Sequence, residues 1–147
     1  MHPGNNLVIT KICNFEKRKD GKLPLFIEPV FAGFPSPADD FIDKKLDLNE
    51  HLIKHPTATF FVRVAGDSMQ KAGIHNGDIL IVDRSLEPRD NSIVIALLDN
   101  EFTVKRIKKQ KGNLYLVPEN SRFKPTRVNE DMDFEIWGVV THAIHKT

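Results

Sequence analysis

From Thr57 onward the chain is a succession of short apolar runs with a period of two, each closed by a turn signal, and no other feature constrains its fold as tightly. Phe60, Val62 and Val64 alternate with Thr59, Phe61 and Arg63, the spacing that sends successive side chains to opposite faces of a strand. Asn76-Gly77-Asp78 precedes Ile79–Val82, and Asp99-Asn100 separates Ser92–Leu98 from Glu101–Lys108 as a two-residue hairpin signal. Lys111-Gly112-Asn113 turns into Leu114–Val117, and Phe134–Ile144 closes the series. Short strands at this spacing predict a compact, mostly antiparallel β domain.

The chain ahead of Thr57 has a different character. Pro3, Gly4, the turn-like cluster Lys17-Arg18-Lys19-Asp20-Gly21-Lys22, and then Pro24, Pro29 and Pro35 break any long helix, so the first 35 or so residues read as an extended arm. Ser36-Pro37-Ala38-Asp39 offers an N-cap hydroxyl, a first-turn proline and an early carboxylate, and Phe41, Ile42 and Leu46 follow at helical spacing. A short helix is expected there. Asp47 with Glu50 repeats the capping logic, and Leu48, Leu52 and Ile53 give a second apolar face that ends at His55-Pro56. The expected fold class is therefore mostly β, a compact β domain with short N-terminal helices and an extended N-terminal arm.

Composition narrows the function classes. With 147 residues, 40% hydrophobic and 28% charged, the chain can bury the core of one domain and is neither a disordered tail nor a disulfide miniprotein. Its formal net charge is +1, which gives no field for non-specific nucleic-acid binding. The longest uninterrupted apolar run, Ile93–Leu98, falls well short of the about 20 residues of a membrane span. Cys13 is the single cysteine, so there is neither an internal disulfide nor the ligand spacing of a zinc site. A reducing cytoplasm is the expected compartment.

Gly66-Asp67-Ser68-Met69 follows directly on the strand that ends at Ala65, so Ser68 sits where a strand ends and the backbone turns. Such a place can expose a hydroxyl and aim successive N–H groups at one point, as an oxyanion hole requires. It is also an ordinary turn sequence. A nucleophile needs a base, and no histidine offers itself. His51 and His55 stand four apart on the second expected helix but lack the glutamate of a zincin helix, and read as a surface pair. His75 falls in a turn, and His142 and His145 lie close to the C-terminus. Lysine is the other candidate base. Bringing its pKa from about 10.4 toward neutrality requires roughly 4–5 kcal/mol of desolvation. Lys105 stands in Glu101-Phe102-Thr103-Val104-Lys105-Arg106-Ile107, between apolar residues and the solvated run Lys108, Lys109, Lys111. The pattern alone is open between a member of that exposed basic stretch and a buried base.

Three segments taken together resemble a known family. Gly66-Asp67-Ser68-Met69, then Gly77-Asp78-Ile79-Leu80-Ile81-Val82-Asp83, then Phe102-Thr103-Val104-Lys105-Arg106 are similar to the serine-lysine self-cleaving peptidases of the LexA and UmuD group, and the Ser68-to-Lys105 separation fits that group's dyad. Upstream, Ala32-Gly33-Phe34-Pro35-Ser36-Pro37-Ala38 resembles the self-cleavage segment of the group's UmuD branch, and the similarity continues through Asp47-Leu48-Asn49 and His55-Pro56-Thr57-Ala58-Thr59-Phe60. It covers most of residues 24–142.

The resemblance implies that Ser68 is the nucleophile, Lys105 the general base and Ala32-Gly33 the scissile bond, with the backbone N–H groups of Ser68 and Met69 as the oxyanion donors. It implies removal of residues 1–32 and release of residues 33–147. That product would be a homodimer joining a UmuC-like error-prone DNA polymerase in the SOS response, with cleavage stimulated by a RecA filament on single-stranded DNA. Neither a cofactor nor a metal is implied, and no sequence-specific DNA contact is expected. A LexA-type repressor would need its DNA-binding half ahead of Ala32, where three prolines and no helix-turn-helix pattern stand and where such a module takes roughly 60 residues. The competing reading is a polymerase-accessory binding module in which Ser68 and Lys105 do no proteolysis.

Overall fold

The computed structural model describes residues 7–15, 22–26 and 42–147. They fall into two units, one made of residues up to Phe15 together with His55–Thr147, the other of Glu16–Lys54. The pair Ala32-Gly33, expected to be the scissile bond, lies outside the described residues.

The first unit holds the sheet. Its strands are β1 (Val8–Asn14), β4 (Thr59–Ala65), β5 (Ile79–Asp83), β6 (Ile93–Leu98), β7 (Glu101–Gln110), β8 (Asn113–Val117), β9 (Thr126–Val128) and β10 (Phe134–Ile144). They form one eight-stranded sheet in the order β1-β4-β5-β10-β6-β7-β8-β9, and each neighbouring pair is antiparallel. The hairpin between β6 and β7 turns on Asp99 and Asn100 with φ of 48° and 66°, the doubly left-handed turn that matches the strand twist and that Asn and Asp tolerate. The expected mostly-β, antiparallel architecture is what the chain adopts.

Period two in β4 does what the sequence requires. Phe60, Val62 and Val64 are buried together with Leu7, Met69, Ile74, Leu80, Val82, Ile95 and Val104 in one apolar cluster. A second cluster gathers Val94, Ala96, Ile107 and Leu116. The continuous apolar run of β6 is thereby explained, since Ile95 serves the first cluster while its neighbours Val94 and Ala96 serve the second. A strand covered on both faces has no polar side to alternate with.

The second unit contains β2 (Lys22–Phe26), β3 (Ile42–Asp47) and the short helix α1 (Leu48–Leu52). β2 and β3 pair as an antiparallel ribbon from Lys22↔Asp47 to Phe26↔Ile42. Pro24 is compatible with β2 because a strand with one neighbour has a free edge where a missing N–H costs nothing. The second expected helix is α1, whose N-cap Asp47 accepts a hydrogen bond from the Asn49 N–H at 2.9 Å. The first expected helix is corrected: residues 42–47 are β3. Ile42 and Leu46 stand four apart, a spacing that satisfies a helical period and a strand period alike, and pairing with β2 selects the strand. Residues 36–41, where that helix was to begin, lie outside the described residues. No helix of the described residues is long and apolar enough to cross a membrane.

Candidate active site

β4 delivers the chain to Gly66, whose φ of 104° is in the region that favours glycine. The Gly66 N–H donates to Asn76 Oδ1 at 3.0 Å, and Val64 exchanges backbone bonds with Asp78 O and the Gly77 N–H at 3.0 and 2.8 Å. These ties fasten the end of β4 to the turn Asn76-Gly77-Asp78. Asp67 O accepts from the Gln70 N–H at 3.1 Å and from Asn120 Nδ2 at 2.9 Å. On the far side of the serine, the Lys71 N–H donates to Glu119 O at 2.8 Å. Ser68 is thus bracketed by Glu119 and Asn120, two residues between β8 and β9 that carry no local signal in the sequence, because their partners are about fifty positions away. Ser68 and Met69 are both fully buried, and among the described residues no hydrogen bond engages the N–H of either.

Lys105 reaches this turn from β7. Its Nζ lies 3.2 Å from Ser68 Oγ and 3.2 Å from Val104 O. Burial pushes the Lys105 ammonium down from 10.5 to about 8, because a cation loses more than a neutral amine when water is withdrawn. Near neutrality the ammonium donates to Oγ; once deprotonated it can accept the hydroxyl proton over the same distance. The pattern left Lys105 open between an exposed basic run and a buried base; its side chain is half-buried and turned to Ser68. Its neighbours diverge from it, since Lys108 Nζ donates outward to Asn91 Oδ1 and the Lys109 N–H to Asp90 Oδ1 at 2.8 Å.

A third group meets the serine. The Leu7 N–H donates to Ser68 Oγ at 3.0 Å, and Leu7 is itself fully buried. Nothing in the sequence around Leu7 announced this contact.

The histidines stand elsewhere. α1 ends at Leu52, so His55 does not share a helix with His51. Instead His55 Nδ1 pairs with Asp83 Oδ2 at 2.5 Å. Burial raises the Asp83 carboxyl, but hydrogen bonds from Ser85 and His55 outweigh it and hold the group below its ordinary value. Asp78 Oδ1 accepts from His145 Nδ1 at 2.7 Å, and the rings of His145 and His75 lie 4.6 Å apart, tilted by 44°. Among the described residues no group of three or more His, Cys, Asp or Glu is arranged to hold a metal.

The fold is thus an antiparallel β domain with a buried serine beside a half-buried lysine, and comparison with known proteins gives its class. A family model described as Peptidase S24-like matches residues 24–141. The chain belongs to the Peptidase S24-like family. Protein SamA of Salmonella typhimurium is 50% identical over 124 residues, covering 84% of this chain and 86% of SamA. Protein MucA of Escherichia coli is 45% identical over 123 residues, covering 83% and 84% of the two chains. The LexA repressor of Pseudomonas chlororaphis is 37% identical over 148 aligned residues, covering 99% of this chain and 72% of the repressor. The resemblance read from Gly66–Met69, Gly77–Asp83 and Phe102–Arg106 is borne out.

Proposed function

We propose that this chain is a serine-lysine self-cleaving peptidase that cuts its own Ala32–Gly33 bond, separating residues 1–32 from residues 33–147. The observation that carries the reading is the 3.2 Å approach of Lys105 Nζ to the Oγ of a fully buried serine, with that lysine held near a pKa of about 8. Neutral Lys105 takes the Ser68 hydroxyl proton as Oγ bonds to the Ala32 carbonyl carbon. The tetrahedral adduct puts its oxyanion toward the Ser68 and Met69 N–H groups, then collapses as the Gly33 nitrogen leaves with the proton from Lys105. Water hydrolyses the Ala32 ester and returns Ser68. Because the substrate is tethered, the rate depends on docking of the segment and on the charge of Lys105 rather than on concentration.

Residues 33–147 would then act as a homodimeric accessory subunit of a UmuC-like error-prone polymerase in the cytoplasm during the SOS response, with a RecA filament on single-stranded DNA favouring the docked segment. The similarity to SamA, MucA and the LexA repressor supports this placement. Intact-mass analysis of the purified chain and of Ser68→Ala, between pH 6 and 10 and with or without an ATP-loaded RecA filament, tests it. The expected result is loss of residues 1–32 in the wild type alone, with a rate that climbs through about pH 8 and then levels. An intact chain under every condition would assign the protein to the non-proteolytic accessory reading.

A further inference from the structure

Ser68 Oγ is already occupied. The Leu7 N–H donates to it at 3.0 Å, and this bond is the end of a continuous seat. Behind Leu7, β1 lies antiparallel on β4 from Val8↔Ala65 to Asn14↔Phe60, and β1 is the terminal strand of the sheet. The edge of β4 offers one row of N–H and C=O groups, so only one extended segment at a time can pair with it. That edge leads straight to Gly66-Asp67-Ser68, so an extended substrate addressing the nucleophile along it needs the place where β1 now lies.

The contact is also the wrong one for chemistry. An amide N–H lies in the plane of its peptide group, so an oxygen accepting from it lies near that plane. Attack on a carbonyl carbon comes from above the plane, with the carbonyl oxygen turned to the oxyanion donors. Leu7 therefore blocks the nucleophile without presenting a bond to cut. The anchoring is local, since Leu7 is buried among Met69 and Val104 in the main apolar cluster, whereas Val8 and Ile12 are 43% and 40% exposed. Ile9 adds a half-buried contact to that cluster and Phe15 meets Phe61 edge-on, so β1 is held by one fully buried side chain, a few lighter contacts and one edge ladder, and can come off without unfolding what lies beneath.

We propose that residues 7–14 are an intramolecular inhibitor of the peptidase: β1 holds the β4 edge and caps Ser68, and self-cleavage requires it to withdraw. The proposal rests on the reading of Ser68 as a nucleophile. Cys13 stands directly opposite Phe61 in the register, and opposed residues of an antiparallel pair have Cα atoms about 4.5–5.5 Å apart, within disulfide range. The full-length Phe61→Cys variant can therefore be locked by oxidation and released by reductant, each form serving as the other's control. Two rates are read at pH 9: self-cleavage by intact mass, and phosphonylation of Ser68 by a fluorophosphonate, which needs no docked segment. Oxidation is expected to slow both at least tenfold, with recovery on reduction, while wild type ignores the redox change. Equal rates in the locked and reduced forms would overturn the proposal, as would failure of Cys13 to cross-link to position 61. Phosphonylation that follows the redox state in a chain that cleaves in neither form would support the inhibitor while overturning self-cleavage.

Discussion

Desolvating an ammonium beside Ser68 makes the candidate base usable and at the same time opposes folding. Lys105 falls from 10.5 to about 8 because it is buried, a difference worth about 3 kcal/mol. Below pH 8 both the folded and the unfolded chain hold the proton, so the penalty is full and does not vary with pH. Between about 8 and 10.5 the unfolded chain keeps a proton that the folded chain has shed, so stability rises with pH across that window. Replacing the lysine by an apolar side chain of similar length removes the penalty. We expect Ser68→Ala/Lys105→Met to be more stable than Ser68→Ala by about 2 kcal/mol at pH 7, with the gap closing toward pH 10.5. Urea unfolding at the two pH values checks this; a gap that is absent at pH 7 or constant with pH would show that burial of the charge is not the cause. The Ser68→Ala background keeps both chains intact during the measurement.

At the scale of elements, β10 joins the two halves of the sheet, pairing with β6 through Phe134–Val139 and with β5 through Val139–Ile144. Gly138 stands at the handover. A Cβ there would lie 2.6 Å from Val82 Cγ1 and 3.3 Å from Asp83 O, and Val82 is fully buried with nowhere to move. Gly138→Ala is expected to cost about 1–3 kcal/mol in thermal or urea unfolding; an unchanged midpoint would mean that β10 lifts away freely. The strands that were legible in the sequence are those whose alternation or turn chemistry is intact: Phe60-Val62-Val64 in β4, Asp99-Asn100 between β6 and β7, Lys111-Gly112-Asn113 before β8. β1 was not legible, because its register slips between Ile9 and Lys11 and most of its side chains are exposed, which breaks the period-two signal. β9 has three residues and no room for a pattern. Ser68 and Lys105 could be named from their motifs, but Leu7 and Asn120 act on the site through contacts 61 and 53 positions apart, a relation carried by the fold and not by any local run of residues.

At the scale of the whole molecule, the order of segments along the chain matters more than any single contact. β1 precedes Ala32–Gly33 in sequence yet belongs to the same unit as residues 55–147. While the chain is intact, β1 is tethered and meets β4 at an effective concentration on the order of millimolar. The proposed cut at Ala32–Gly33 would turn that contact into a bimolecular one. A single strand with one fully buried anchor, Leu7, is not expected to hold at micromolar protein, so the cleaved product should shed β1 and expose the β4 edge. An open edge pairs readily with another extended segment, which would give the released domain a surface the precursor lacks. Amide hydrogen exchange separates the two states. In the uncleaved Ser68→Ala chain, the β4 amides that face β1 and those that face β5 should both be protected. In residues 33–147 after cleavage and dilution, the β1-facing set should exchange at least tenfold faster, while the β5-facing set keeps its protection through the register Thr59↔Asp83 to Arg63↔Ile79. If both sets keep equal protection after the cut, residues 7–14 stay bound and the edge remains closed.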